Sequence, residues 1–284
     1  MIKTVEELAD AESLKGLFHE HKEGDPLPSA KSLKEVVELC RAIFFPGFFG
    51  NPNVSEHTIG YHIGVEVERL QSVLMEEVGL SKEVTLKFIE RLPELRRILA
   101  TDVEAAYNGD PAAENYDEII CSYPIIKAIT NYRIAHELLV LGVPLIPRFI
   151  TEMAHSETGI DIHPGAQIGH HFTIDHGTGV VIGATCIIGN NVKLYQGVTL
   201  GAKSFPLDEN GNPIKGIPRH PILEDDVIVY SNATVLGRIT LAKGTIIGGN
   251  LWVTKSTLPG EVRVQKTTPV PPEEGMKIIY GDYI

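Results

Sequence analysis

The chain has 284 residues, of which 43% are hydrophobic and 22% are charged, and its formal net charge is -12. These proportions are typical of a globular protein with one large domain or two ordinary ones. The acidic charge argues against nucleic acid or an anionic membrane as the main partner, because both attract basic surfaces. No apolar run approaches the ~20 residues that a membrane-spanning helix needs.

The three cysteines, Cys40, Cys121 and Cys186, are widely spaced and form no CxxC pair. This spacing favours buried free thiols in a reducing compartment over a zinc site or a disulfide framework. The histidines are not grouped in metal-ligand spacing either, so we expect no metal. The first residues are amphipathic and acidic, unlike a signal peptide, and we therefore expect a cytoplasmic location.

Residues 1–154 have the apolar spacing of helices, and we expect them to form a helical N-terminal domain. Ser32 and Glu35 have capping-box spacing before an apolar run. Ser81 can cap a later helix, which Pro93 is expected to bend or interrupt.

From about residue 155, apolar residues recur every six positions instead. A second column follows two residues later, and both columns can face one core because alternate residues of a strand point the same way. A sustained period of six indicates a β-solenoid whose triangular coils each use three hexapeptides. A β-sandwich is the weaker alternative, because it requires loops of variable length. The first column is Ile162, Ile168, Ile174, Val180, Cys186, Val192 and Val198, and it resumes as Leu223, Val229, Val235, Leu241, Ile247 and Val253.

The pattern also predicts where the solenoid is interrupted and where it ends. We assign residues 155–258 to it, with a protruding loop at 202–220 that is rich in Gly, Pro, Asn and Asp. Residues 259–284 leave the register and contain several prolines, so they are expected to form an extended tail. The predicted fold class is α+β, with a helical domain, a parallel β-helix and a tail.

Several motifs resemble those of one enzyme family. They are GDPA at 109–112, YRIAH at 132–136, DIHPGAQIG at 161–169, IDHGTGVVIGAT at 174–185, VTLGA at 198–202 and RHP at 219–221. On these motifs the chain resembles the serine acetyltransferases over roughly residues 100–255. The resemblance implies a left-handed β-helix and transfer of acetyl from acetyl-CoA to the hydroxyl of L-serine, the first committed step of cysteine synthesis.

The resemblance also implies which residues carry the reaction. His176 matches the family's general base, a role that suits an imidazole whose pKa is near 7. Asp161 matches the aspartate that orients this base, and it lies 15 residues upstream, close to one 18-residue coil. The serine hydroxyl would complete a Ser-His-Asp arrangement.

Substrate and cofactor contacts follow from the same comparison. Asp110 and Asp175 match the carboxylates that hold the serine ammonium. Arg219 matches the arginine that holds the serine carboxylate, and His220 matches a second histidine at the substrate. For acetyl-CoA, which should lie along the solenoid, the candidates are Gly201, Ala202, Ser231 and Gly249.

Three departures from the family pattern affect mainly the acetyl-CoA contacts. The connection before RHP is longer, with Pro218 where aspartate is common, and Ala184 replaces the glutamate of the GET turn. The GVPA-type motif after the last coil is absent. Alternatives are an acetyltransferase for another hydroxyl acceptor and a solenoid scaffold without catalysis.

The resemblance further implies partners. Members of this fold form trimers with sites between subunits, and some pair two trimers through the helical half, so we expect a homo-oligomer. Cysteine is an expected feedback inhibitor that competes with serine. The tail ends at Ile284 and resembles the family's C-terminal peptide, which inserts into the active site of O-acetylserine sulfhydrylase. Packing of the tail on its own protein is the alternative.

Overall fold

Helices occupy the first part of the chain and short parallel strands the second. The computed structural model describes residues 1–10, 27 and 29–265. In this part of the chain, no helix is long and apolar enough to cross a membrane. The helices are α1 (Ile2–Leu8), α2 (Ala30–Phe44), α3 (Ile59–Ser72) with a π-helical turn at Val73–Glu77, α4 (Lys82–Gly109), α5 (Tyr116–Ser122), α6 (Pro124–Val140) and α7 (Ile146–Thr158).

The helix starts follow capping chemistry. Ser81 caps α4 as predicted, because its Oγ accepts a hydrogen bond from the Val84 N–H at 3.3 Å. The capping box predicted at Ser32 is wrong, because Ser29 caps α2 and accepts from the Ser32 N–H at 3.0 Å. Pro93 lies inside α4, which continues through it to Gly109.

A buried ion pair joins the helices to the first coil of the solenoid. Arg133 of α6 donates from Nε and Nη2 to both carboxylate oxygens of Asp102 of α4, at 2.7 and 2.9 Å. Arg133 also donates to the Gly169 carbonyl at 2.8 Å, while Asp102 accepts from the Phe172 N–H at 3.0 Å. These hydrogen bonds join α4, at Asp102, and α6 to the first coil of the solenoid.

The second part is a β-solenoid of three parallel sheets, as the period of six predicted. Strands in register stack coil upon coil, for example Asp161 beside Val181 and Val181 beside Thr199. The apolar columns point inward and are buried.

Sheet I contains β1 (Asp161–Ile162), β4 (Val181–Ile182), β7 (Thr199–Gly201), β10 (Thr234–Leu236) and β13 (Trp252–Val253). Sheet II contains β2 (Gln167–Ile168), β5 (Ile187–Ile188), β8 (Ile222–Leu223) and β11 (Thr240–Leu241). Sheet III contains β3 (Thr173–Asp175), β6 (Lys193–Tyr195), β9 (Ile228–Val229), β12 (Ile246–Ile247) and β14 (Val262–Arg263).

Two corners of the triangular coils concern the site. The histidine corner joins sheet III to sheet I and consists of residues 176–180, 196–198, 230–233 and 248–251. The loop corner joins sheet I to sheet II and consists of residues 163–166, 183–186, 202–221 and 237–239. At the histidine corner, His176, Asn232 and Asn250 each have a φ of 58°, which the sharp turn requires.

The segment 202–220 leaves the solenoid at the loop corner, between β7 and β8. Its middle is a small hairpin in which Leu207 bridges Pro213. Asp208 closes the turn, because its Oδ1 accepts from the N–H groups of Asn210 and Asn212 at 2.9 Å each. Leu207 is exposed at the hairpin.

Within the predicted tail, Val262 and Arg263 still pair with β12. Strand pairing therefore extends a few residues beyond 258. Residues 266–284 lie outside the described part of the chain.

Candidate functional site

His176 lies at the histidine corner, directly after β3. The turn projects its side chain outward, where 76% of it is exposed. Its Nε2 is 3.9 Å from Oδ1 of Asp175, the last residue of β3. The imidazole is therefore accessible to a ligand and has a carboxylate beside it.

Asp110 and Asp175 line one small depression between the helical half and sheet III. The Tyr123 hydroxyl donates to Asp110 Oδ2 at 2.6 Å, and the Ala112 N–H donates to Oδ1 at 2.8 Å. These hydrogen bonds, that of Tyr123 first, lower the pKa of Asp110, and the same contact raises the pKa of Tyr123 to about 12. The structure thus brings two predicted ammonium ligands together as carboxylates near His176.

The structure does not bring Asp161 to His176. Its carboxylate lies 3.3 Å from Nη1 of Arg148 in α7, and it makes no hydrogen bond or ion pair with His176 in the described residues. The dyad stays a prediction. Asp161, Glu152 and His155 have the spacing of metal ligands, but Arg148 pairs with both carboxylates and supplies the positive charge that an ion would bring.

Arg219 and His220 lie at the loop corner, where Thr185 fixes both. The Thr185 Oγ1 accepts from the N–H groups of Arg219 and His220 at 2.9 and 3.1 Å. The Nε of Arg219 is buried and has no hydrogen-bond partner within the part of the chain that the structure describes. This donor is available to an acceptor that the isolated chain does not supply.

His220 is 7% exposed, and the surroundings of its imidazole determine which ring nitrogen carries the proton. The Thr185 N–H donates to Nδ1 at 3.1 Å, so Nδ1 must be the acceptor and Nε2 carries the proton. Burial, with the cations of Arg219 and Arg238 nearby, lowers the pKa of His220 to about 4. His220 is therefore a neutral hydrogen-bond donor at neutral pH and not a cation.

One chain does not bring Arg219 and His176 together. Arg219 is bonded to Thr185 at the loop corner, whereas His176 begins the histidine corner. One face of the solenoid, with β4, separates these corners, and the extended steps from Val180 to Gly183 alone span roughly 10 Å at ~3.3 Å each. A single serine cannot bridge that distance.

The four predicted acetyl-CoA residues are also divided between the corners. Ser231 and Gly249 occupy successive coils of the histidine corner, where a Cβ on Gly249 would lie 3.0 Å from the Ser231 carbonyl. Gly201 accepts from the Gly237 N–H at 3.0 Å at the loop corner, and Ala202 follows it. The cofactor contacts of these residues stay predictions.

Sequence reasoning missed Lys193, Tyr123 and Thr185. Lys193 and Tyr123 line the depression with the two aspartates. The signal for Lys193 was a charged residue beside the apolar column, at the start of a strand stacked on β3. Tyr123 and Thr185 gave no comparable signal, because hydroxyl residues are common before helices and in turns.

Known proteins resemble this chain in sequence and in fold. No protein-family model matches the chain. The plasmid serine acetyltransferase of Synechococcus elongatus is 49% identical over 257 residues, which are 83% of this chain and 81% of the relative. The serine acetyltransferase of Bacillus licheniformis is 45% identical over 60% of this chain and 78% of its own length. Serine acetyltransferase 1 of Entamoeba histolytica, solved in complex with L-cysteine, superposes with a TM-score of 0.72 at 36% identity, covering 88% of this chain and 94% of that one. The left-handed β-helix expected from the motifs is thereby confirmed, and the chain belongs to the serine acetyltransferase family.

Proposed function

We propose that this chain transfers acetyl from acetyl-CoA to the hydroxyl of L-serine, with His176 as the general base. The observation that carries the proposal is the position of His176 beside a depression that contains Asp110 and Asp175. Two carboxylates next to an accessible imidazole suit an amino acid whose ammonium is bound while its side-chain hydroxyl is deprotonated.

The reaction follows from these positions. The serine ammonium binds between Asp110 and Asp175, which directs the hydroxyl toward His176. As the serine oxygen attacks the thioester carbonyl, the imidazole takes its proton. The tetrahedral intermediate then collapses to O-acetylserine, and the imidazolium returns the proton to the leaving thiolate of CoA. The family resemblance gives Asp161 the role of stabilising the imidazolium.

We propose that the serine carboxylate is held by Arg219 and His220 of a second copy of the chain. The separation of the two corners supports this arrangement, as does the unpaired Nε of Arg219. His220 contributes its Nε2–H as a neutral donor. A homotrimer with sites between copies, which the family resemblance implies, would supply both corners to every site.

For acetyl-CoA, the proposed path follows the histidine corner past Ser231 and Gly249, with the thioester near His176. Gly201 and Ala202 would approach the cofactor from the loop corner of the neighbouring copy. The small side chains at these positions leave room for a ligand to approach the backbone.

Cysteine is proposed to compete with serine, since it has the same ammonium and carboxylate. The L-cysteine complex of the Entamoeba histolytica relative supports this proposal. Inhibition kinetics at varied serine test it: the apparent serine KM should rise with cysteine while kcat stays constant. An absence of inhibition at millimolar cysteine would contradict a shared pocket.

We further propose a cytoplasmic location and a docking partner for the tail. Cys40 and Cys186 are buried as expected, whereas the expectation of burial is wrong for Cys121, which is exposed. The partner is O-acetylserine sulfhydrylase, through Ile284, which lies outside the described residues. Deleting Ile284 should abolish co-purification of the two enzymes and leave acetyl transfer intact; equal binding by both forms would refute the docking role.

The decisive test of the proposed reaction is a set of three variants assayed for CoA release. His176→Ala should lower kcat by about 10²-fold or more, because its role is proton transfer. Asp110→Asn should mainly raise the serine KM. His57→Ala, at an exposed histidine of the helical half, is the matched control and should change neither constant.

The acceptor is tested in the same assay with homoserine and galactosides in place of serine. Faster transfer to either acceptor would favour an acetyltransferase for another hydroxyl. A loss smaller than about tenfold in His176→Ala would contradict the general base. No transfer to any acceptor would favour a scaffold.

A further inference from the structure

Lys193 of β6 is held by partners from both halves of the chain. Its Nζ donates to the Gly109 carbonyl at 2.6 Å and lies 3.5 Å from Oδ2 of Asp175. The same ammonium lies 4.6 Å from the ring centroid of Tyr195. Only 17% of the side chain is exposed. Lys193 is therefore fixed at the depression that also contains Asp110.

The contact with Gly109 has a specific consequence, because Gly109 is the last residue of α4. The final carbonyls of a helix have no intrahelical partner and carry the negative end of its dipole. A lysine ammonium satisfies such a carbonyl and is favoured there electrostatically. Lys193 thus fastens the end of α4 to the solenoid.

The next residue along the chain is Asp110, whose carboxylate is fixed to its own segment. Oδ1 accepts from Ala112 and Oδ2 accepts from Tyr123, so the carboxylate moves only with that segment. Its position relative to Asp175 on β3 therefore depends on how the end of α4 is attached to the solenoid. The hydrogen bond from Lys193 to Gly109 supplies that attachment next to Asp110.

We infer that Lys193 is a positioning residue for the ammonium of the amino-acid substrate. It holds Asp110 opposite Asp175, and its charge offsets the repulsion between the two carboxylates when the site is empty. The three groups together carry one net negative charge, which suits a single incoming ammonium. The inference rests on the proposed function, because it deepens the role given there to the two aspartates.

The test compares Lys193→Met with Lys193→Arg, Asp110→Asn and the double variant in the full-length enzyme. Lys193→Met should raise the serine KM about tenfold, with kcat and the acetyl-CoA KM within about threefold of the parent. Lys193→Arg should restore most of the serine affinity, because a guanidinium can donate to the Gly109 carbonyl and to Asp175. Lys243→Met is the matched control, since Lys243 also pairs with an aspartate, Asp226, at 3.4 Å but lies away from the depression.

The double variant separates positioning from mere stabilisation. If Lys193 acts through Asp110, adding Lys193→Met to Asp110→Asn should raise the serine KM by less than about twofold more. A purely structural role would lower the melting temperature and leave the serine KM within twofold of the parent; that result overturns the inference. Independent, multiplying effects of the two substitutions also overturn it.

The outcomes distinguish this inference from the proposed function on which it rests. If Asp110→Asn leaves the serine KM unchanged, the assignment of the ammonium pocket is wrong, and the positioning role of Lys193 is refuted as well. If Asp110→Asn raises the serine KM and Lys193→Met does not, the pocket stands and only the role of Lys193 is refuted.

Discussion

Acidification should destabilise this protein through His220. Burial lowers the pKa of this imidazole from 6.5 to about 4 in the folded chain. Between those values the unfolded state binds more protons than the folded state, so stability rises with pH across that range. The contribution is fully present above pH 6.5 and is lost progressively as the pH falls toward 4.

The size of the effect follows from the shift. At about 1.4 kcal/mol per pKa unit, protonation of the unfolded state alone lowers the free energy of unfolding by about 2 kcal/mol between pH 8 and pH 5. Urea denaturation of the parent and of His220→Gln at both pH values measures this term. The parent should lose about 2 kcal/mol more than the variant over the interval.

His57→Gln, at an exposed histidine, is the control and should follow the parent. Equal losses in the parent and in His220→Gln would refute the assignment of His220 as a buried neutral imidazole. They would also remove the argument that it acts only as an Nε2–H donor.

Three other substitutions test separate parts of the structure. Tyr123→Phe removes the hydroxyl that fixes the Asp110 carboxylate and lowers its pKa, so the serine KM should rise; an unchanged serine KM would contradict a substrate role for Asp110. Gly183→Ala places a Cβ 2.0 Å from the His220 ring and should raise the serine KM by displacing that ring. The control is Gly64→Ala, whose Cβ meets nothing within 4 Å and should leave the serine KM unchanged. Equal serine KM values for the two variants would contradict a substrate role for His220. Arg133→Met leaves the Asp102 carboxylate buried without its partner and should lower the free energy of unfolding in urea by about 3–5 kcal/mol. Arg69→Met, at an exposed ion pair, is the control and should lower it by under about 1 kcal/mol. A similar loss of stability in both variants would refute the importance of burial.

Most of the solenoid could be predicted from one-dimensional spacing. Ile182 and Leu200, like Val229 and Ile247, lie three hexapeptides apart in the sequence and pair at successive coils, where they face the same core. Parallel stacking converts a period in the sequence directly into a column in space, so no long-range information was needed. The helical half has no such repeat, and the start of α2 was misplaced because Ser29 and Ser32 are equally good caps by residue type.

The site was less predictable, because its contacts join residues whose separation in the sequence does not follow the six-residue repeat. The 15-residue separation of Asp161 and His176 suggested contact through one coil, but the strands pair Asp161 with Val181. Arg148 then provides a nearby cation from α7 that the motifs do not reveal. Lys193 was missed for a similar reason, since its partner Gly109 lies 84 residues away in the helical half.

The hairpin at the loop corner shows where a coil of the solenoid can accept inserted residues. Across this corner Thr185 contacts His220 35 residues away, whereas an uninterrupted neighbouring coil brings Asn190 to His170 over 20 residues. Chain-closure entropy depends only on the logarithm of loop length, so the longer excursion costs about 0.5 kcal/mol more. The strands on either side keep their pairing register, because the extra residues enter between β7 and β8 and not within a strand. At a corner of this kind, evolution or a designer can exchange whole segments while the strands of the solenoid stay the same.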